Sequence, residues 1–220
     1  QTLCTTLIGS MPQSVLFRGG ADARAIRADG EAVCVTDADD KLLANANLAI
    51  LANGVDAKSF IADGAPWLRA VRGQVTEIAA TVPKMRAPVC REGYITPLLG
   101  GRHYVGATFD ESGIAAIVTS EDQRANLRRA ARILPGTFED AGLDADSGWA
   151  AVRCVSRDRL PVMGPVGANL FCCLGLGSRG FSWAPLAAET LASLIAGAPV
   201  ALERSMMRRL SGSRFTVATG

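Results

Sequence analysis

Three kinds of residue in this sequence can do chemistry, and their spacing separates them. The sharpest signal is Gly175-Leu176-Gly177-Ser178-Arg179-Gly180, a G-x-G-x-x-G run between a strand-like and a helix-like stretch. Glycines there let the backbone approach a bound group closely. The start of the following helix offers free N–H groups to an anion or a carbonyl oxygen. A dinucleotide fingerprint also needs a second strand ending in Asp or Glu about 20 residues further on. Here that distance leads past Gly197–Pro199 to Val200 and Glu203, with no convincing strand between. Gly175, Gly177, Ser178 and Gly180 are therefore expected in a ligand loop that is not the main pyrophosphate site. The competing reading is that these glycines serve only close helix–strand packing.

The second kind is arginine. Of the 23 basic residues 20 are Arg, in a chain whose net charge is only +2. Any anion contact is then a guanidinium contact. Arg124, Arg128, Arg129 and Arg132 share one helix face, which either meets RNA phosphates or is simply solvated. Arg204, Arg208, Arg209 and Arg214 form a second cluster with the same two readings. The third kind is limited by what is scarce. His103 is the one histidine, so a multi-histidine metal site is impossible and a Ser/His/Asp triad has only one place to form. It adjoins a turn and is expected in solvent. The six cysteines show no C-x-x-C spacing, and Cys172 and Cys173, adjacent on a strand, point to opposite faces. No metal is expected; the thiols read as buried and reduced, in a cytosolic protein.

The elements that must position these residues follow from periodicity and punctuation. The chain has 220 residues, 49 % apolar and 20 % charged, which is globular and excludes wholesale disorder. No apolar stretch approaches a membrane span, the longest being Leu42 to Ala52, interrupted by Asn45 and Asn47. Residues up to Ile8 read as the end of a helix closed by Gly9 and Pro12. Short strands are expected over Val15–Phe17, Ala21–Arg27, Ala32–Thr36 and Lys41–Leu51, with Asp29-Gly30 as a hairpin turn. The last of these is expected to be buried and to stop at Asn53-Gly54. A second set covers Gln74–Ala80, Gly93–Leu98 and His103–Phe109, with Gly100-Gly101 as a turn. A helix capped by Ser120, with Gln123 as its capping-box partner, runs to Leu134 and stops at Pro135-Gly136. Strands over Trp149–Val155 and Asn169–Leu174 precede a last helix, Ala184–Ala196, ended by Gly197. This order indicates α+β or mixed α/β.

Several segments then fall into a recognisable order. They are Leu51-Ala-Asn-Gly54, Val71-Arg-Gly-Gln-Val75, Gly93-Tyr-Ile-Thr-Pro97, Tyr104-Val-Gly-Ala-Thr108, Val152-Arg-Cys-Val-Ser-Arg-Asp-Arg-Leu-Pro161 with Met163-Gly-Pro165, and Gly175–Gly180. The chain resembles the D-amino-acid-oxidase/glycine-oxidase superfamily of FAD enzymes. Within it, the chain is similar to the FAD-dependent C-terminal module of bifunctional tRNA-modifying proteins. That resemblance implies a partial FAD-binding domain of the D-amino-acid-oxidase type with an antiparallel-sheet substrate domain. Residues 1–66 would be the later half of the FAD domain, without its N-terminal fingerprint. Residues 67–150 would bind substrate, and 151–220 would return to the FAD domain. An N-terminal FAD and methyltransferase portion of the same polypeptide is expected to be missing, leaving apolar surface that can drive self-association.

The implied reaction is oxidative removal of the carboxymethyl group from 5-carboxymethylaminomethyl(-2-thio)uridine at the tRNA wobble position. Arg153 and Arg179 fall where the glycine-oxidase pattern puts its carboxylate-binding arginines, and Tyr94 at its substrate-contact tyrosine. Asn53 and Gly54 fall where such a fold passes the cofactor, and the N–H groups from Gly177 to Gly180 would steady negative charge on the reduced ring. Two alternatives stand beside this one. A glycine- or sarcosine-type small-molecule amine oxidase would share every flavin feature. A non-catalytic fragment would bind no flavin, its arginines pairing with Asp158 or Glu189.

Overall fold

The computed structural model describes residues 2–79, 85–111, 115–137 and 147–215. Helix α1 (Thr2–Gly9) ends where Gly9 and Pro12 predict, with Leu3, Leu7 and Ile8 exposed. Strands β1 (Ala25–Asp29), β2 (Ala32–Thr36) and β3 (Leu42–Ala46) form an antiparallel meander in sequence order. Gly30, at φ +60°, turns β1 into β2, so the Asp29-Gly30 signal is borne out. Val15–Phe17 is not a strand. Leu16 and Phe17 are exposed in a connection, where a three-residue apolar run has no ladder to join.

The run expected over Lys41–Leu51 is two strands, because β4 (Ala49–Leu51) leaves the meander for a second sheet. There it pairs in parallel with β11 (Leu170–Leu174), which pairs antiparallel with β10 (Val162–Gly167). As an edge strand, β4 buries Leu51 but leaves Ile50 46 % exposed, so it is not the fully buried strand expected. The third sheet has five antiparallel strands in the order β6 (Val89–Cys90), β7 (Tyr94–Ile95), β8 (Arg102–Gly106), β5 (Leu68–Ala79) and β9 (Gly148–Ser156). Strand β5 is its spine, paired with β9 from Leu68 to Thr76 and with β8 from Val75 to Ala79. Gly100 and Gly101, both at positive φ, make the turn into β8. The β9 ladder continues unbroken from Gly148 to Ser156, across residues 150 and 151.

Helix α2 (Ser120–Ile133) packs on this sheet through Leu127 and Ala130 against Ile78, Ile95 and Val105. Its cap is Thr119, not Ser120. Thr119 has the extended backbone a cap needs, and its Oγ1 accepts from the Asp122 N–H at 3.2 Å. With Thr119 as the cap, the residue three positions on is Asp122 rather than Gln123, whose Nε2 donates to the Ser147 carbonyl. Helix α3 (Gly180–Ala196) starts at the last glycine of the G-x-G-x-x-G run, earlier than expected, and ends at Gly197 in the left-handed region. It buries Ala187 and Leu191 with Met163 and with Leu210 of α4 (Arg204–Leu210). Neither β10 nor α4 was expected from the sequence pattern. No helix among the described residues is long and apolar enough to cross a membrane.

Two further expectations are corrected. His103 is not in solvent but wholly buried: it pairs with Ile78 on the helix-covered face, and its Nδ1 donates to the Thr96 carbonyl at 2.7 Å. Cys172 is buried and Cys173 faces a different core cluster, as adjacent strand residues must. Cys4 and Cys90, however, are exposed, because α1 and the two-residue edge strand β6 lie at the surface. No group of His, Cys, Asp and Glu that could hold a metal occurs among the described residues.

Candidate active site

Alternation along β5 divides its side chains between two surfaces. Arg72, Gln74, Thr76 and Ile78 lie under α2: Asn126 Nδ2 donates to Thr76 Oγ1 and to the Gln74 carbonyl. Val71, Gly73, Val75 and Glu77 floor the opposite face. In register beside them stand Arg153 (opposite Val71), Trp149 (opposite Val75), Gly106 (opposite Val75) and Tyr104 (opposite Glu77). Tyr94 pairs with Gly106 and so joins the same face.

Glycines make this arrangement possible. A Cβ at Gly73 would overlap the guanidinium of Arg153, so that group lies flat over Gly73. A Cβ at Gly106 would come within 2.9 Å of Tyr94 Oη, so the Tyr94 ring lies across Gly106. From opposite sides of β5, the two side chains therefore reach toward each other, Arg153 over Gly73 of β5 and Tyr94 over Gly106 of β8. Arg153 Nη1 donates a long 3.4 Å hydrogen bond to the Thr108 carbonyl, its one hydrogen bond among the described residues. Burial pushes the Tyr94 phenol above its usual range, while the nearby Arg153 charge pulls the other way. Tyr94 thus keeps its proton and presents an O–H donor beside a cation with spare N–H groups. Such a cradle fits a carboxylate. The paired reading with Asp158 fails, since that carboxylate is held by Arg214 at 2.8 Å.

The glycine loop lies along the free edge of β9. Leu176 bridges Val155 antiparallel, which leads Gly177 and Ser178 back toward the level of Arg153. The three glycines differ in role. Gly175, at φ +68°, packs so closely that a Cβ would sit 3.2 Å from Ser156 N and Cβ, which is the packing reading. Gly177, at φ +56°, has only Val155 within 4 Å, at 3.9 Å, and Gly180 opens α3. Neither the short turn Gly177–Arg179 nor α3 has a side-chain cap, and Phe181 in the first turn is 82 % exposed. No side chain caps this start as Thr119 caps α2, although the Arg179 N–H is already bonded to the Leu176 carbonyl at 3.3 Å. Arg179 is exposed with no side-chain partner among the described residues, and no contact joins it to Arg153 or Tyr94.

Asn53 and Gly54 line an open cavity of about 1230 Å³, with Val152, Cys154 and Ala70 on its wall. Val152 and Cys154 alternate with Arg153, so β9 separates this cavity from the Arg153 face. A Cβ on Gly54 would sit 3.8 Å from Cys154 Cβ, and the Gly175 amide opposes the burial that pushes the Cys154 thiol up. The strand end, the thiol and the glycine loop thus meet at one junction. The residues missed from sequence were Gly73, Gly106 and Thr108. A glycine inside a strand marks a close approach, and the Gly at the centre of Val71–Val75 carried that signal.

Of the arginine clusters, α2 turns Arg129 inward to Asn126 Oδ1 at 2.6 Å and pairs Arg132 with Glu92, leaving Arg124 and Arg128 exposed. Arg204, Arg208 and Arg209 of α4 are exposed as well.

Residues 10–194 match the FAD dependent oxidoreductase (DAO) family. The chain is 35 % identical over 232 residues to the tRNA 5-methylaminomethyl-2-thiouridine biosynthesis bifunctional protein MnmC of Aromatoleum aromaticum, covering 97 % of this chain and 36 % of that protein. It spans about a third of the length of the curated relatives it matches. Among solved structures it is similar to glycine oxidase from Bacillus cereus, with a TM-score of 0.68 and 26 % identity over 82 % of this chain and 51 % of that one. Glycine oxidase from Geobacillus kaustophilus shares the fold at a TM-score of 0.74 and 23 % identity, covering 89 % of this chain and 52 % of the other. With the mixed α/β fold and its antiparallel sheets, these matches identify the chain as a member of the family of FAD-dependent oxidoreductases.

Proposed function

We propose that this chain is part of a flavin amine oxidase that removes the carboxymethyl group from 5-carboxymethylaminomethyl(-2-thio)uridine at the tRNA wobble position. The observation that carries the reading is the convergence of Arg153 and Tyr94 over Gly73 and Gly106. The substrate's tail is an N-substituted glycine, and that cradle suits its carboxylate. The relative from Aromatoleum aromaticum is named for a tRNA modification, which favours the nucleoside over free glycine. On this reading the protein works in the cytoplasm with tRNA as its partner.

The residues present fit the cofactor. Gly177, Ser178 and Gly180, at an uncapped helix start, would hold its ring edge, with Gly175 fixing the loop to β9. Asn53 and Gly54, at the cavity, would hold more of it. Bound FAD supplies the two-electron acceptor for the amine's carbon–hydrogen bond. The chain's own residues bind and orient: Arg153 forks the carboxylate, and Tyr94 donates its O–H to the same group. Arg179, on the flexible arm of an exposed side chain, is the second cation for that carboxylate once substrate is seated. On this reading residues 67–150, joined by Arg153 and Arg179, would form the substrate side, and residues 1–66 with the rest of 151–220 the cofactor side.

The test is Arg153→Met in the flavin-loaded protein, read by glyoxylate release from tRNA carrying 5-carboxymethylaminomethyluridine. Losing a desolvated arginine–carboxylate contact should lower kcat/KM roughly 100-fold, mainly through KM. Unchanged kinetics would remove Arg153 from the site. A wild-type protein that oxidises glycine or sarcosine but not this tRNA would replace the reading with a small-molecule oxidase, the activity its glycine-oxidase neighbours are named for.

A further inference from the structure

The face that carries Arg153 and Tyr94 also carries two aromatic rings with no part in gripping a carboxylate. Trp149 pairs with Val75 and Tyr104 with Glu77, from opposite sides of β5. Their rings meet across the strand with centroids 5.4 Å apart and planes tilted by 57°. Trp149 is nevertheless 47 % exposed. An exposed tryptophan alone would mean little. This one is braced at its edge by a second ring and fixed on a strand, so its orientation is set before anything binds.

Its separation from the carboxylate cradle has a chemical length. Trp149 and Arg153 lie on one face of β9, but the Arg153 guanidinium folds back over Gly73, whose register partner is Ala151. Between the Ala151 and Trp149 positions lies one two-residue strand repeat, roughly 7 Å. In a carboxymethylaminomethyl-uracil, four single bonds separate the carboxyl carbon from the ring, roughly 5 Å when extended. A carboxylate on Arg153 therefore delivers the base to Trp149. Glycine and sarcosine are too short to reach it.

We propose that Trp149, braced by Tyr104, is the nucleobase platform of the site and stacks on the uracil ring of the substrate. This inference rests on the tRNA reading above and adds to it the residue that tells a modified nucleoside from a free amino acid. Stacking on an aromatic face tolerates any planar heterocycle, so the platform supplies binding while the cradle supplies the chemical selection.

The test compares wild type with Trp149→Ala, Trp149→Leu and Trp149→Phe in the flavin-loaded protein. The substrates are an RNA stem-loop bearing 5-carboxymethylaminomethyluridine and N-ethylglycine, which has the same amine and carboxylate but no base. Alanine and leucine should raise KM for the stem-loop roughly 10- to 100-fold, with kcat little changed, while phenylalanine retains most of the binding. Turnover of N-ethylglycine should be the same in all four proteins. Independently of turnover, the stem-loop should quench indole fluorescence in wild type and lose that component in Trp149→Phe, against the constant background of Trp67 and Trp183. A wild type that uses N-ethylglycine but not the stem-loop overturns the tRNA reading and this inference with it. A wild type that uses the stem-loop with the same KM as Trp149→Ala and Trp149→Leu overturns the platform alone.

Discussion

Arg72 and Arg153 stand on the two faces of the same pair of strands, one register step apart, and differ in nearly everything that matters. Arg72 is 5 % exposed, and four of its five N–H donors are used: by Gln74 Oε1 at 2.9 Å, the Ala115 carbonyl at 3.0 Å, the Ile117 carbonyl and the Asp122 carboxylate. Arg153 is half-buried, lies over a glycine and has a single long bond to a carbonyl. A guanidinium whose hydrogen-bonding capacity is spent within the fold is structural. One held in place with its capacity unspent is available to a ligand. Residue type and strand position do not distinguish them; satisfaction of donors does.

The largest expected effect tests the saturated side. Arg72→Met removes one partner of a buried ion pair and leaves Asp122 and two carbonyls without their donor. Breaking such a pair costs about 3–5 kcal/mol. Thermal unfolding should therefore fall by several degrees or more, with the segment 115–119 and the start of α2 loosening first in hydrogen exchange. A variant with wild-type Tm would show that the network contributes little and that saturation is a poor guide to role.

The unsaturated side predicts the opposite pattern. Gly73→Ala puts a methyl group where the Arg153 guanidinium lies. That atom is the far end of a flexible side chain, so it can swing aside with little loss of stability. Tm should shift by under about 1 kcal/mol equivalent while substrate KM rises roughly 10-fold or more, approaching Arg153→Met. A large fall in Tm with unchanged KM would mean that Gly73 is there for packing and that Arg153 has no binding role.

What the sequence made legible follows the same division. Local signals were readable where one residue decides the backbone: Asp29-Gly30 in the β1–β2 turn, Gly197 ending α3, and Gly100-Gly101 entering β8. The antiparallel sheets and mixed α/β class followed from strand-like runs with turn residues between them. Signals that depend on tertiary partners were not readable. His103 sits beside a turn in sequence, yet the register of β8 against β5 sends it under α2. Thr119 displaced Ser120 as the cap because the incoming chain is extended at Thr119. Strand β10, with Gly164 and Pro165 inside it, lacks the alternation that marks a strand and exists because β11 pairs with it. At the candidate site, Arg153 and Tyr94 were reached through resemblance, whereas the two glycines that bring them together required the sheet register.

A third arginine lies between the two extremes and carries the smallest effect. Arg214 Nε and Nη2 grip Asp158 at 2.8 and 2.9 Å, and Asp158 also accepts from the Leu160 N–H and the Ser156 hydroxyl. The Arg214 hydrogen bonds chiefly, aided by those donors and against the cost of burial, hold the Asp158 carboxyl down to about 2 from 3.8. A carboxyl lowered on folding stabilises the protein above its unfolded value, and that contribution is lost as pH falls through its folded value. The Asp158 side chain is 38 % exposed, so water screens the pair and its worth is about 1 kcal/mol or less. Asp158→Asn should therefore lower Tm slightly and evenly from pH 7 to about pH 4. The difference from wild type should shrink between pH 4 and pH 2, as the wild-type carboxyl takes up the proton that the amide never had. A difference as large at pH 2 as at pH 7 would mean that Asp158 acts through the shape of its turn, with its hydrogen bonds to Leu160 and Ser156, and that the Arg214 charge is as dispensable to the fold as that of Arg153.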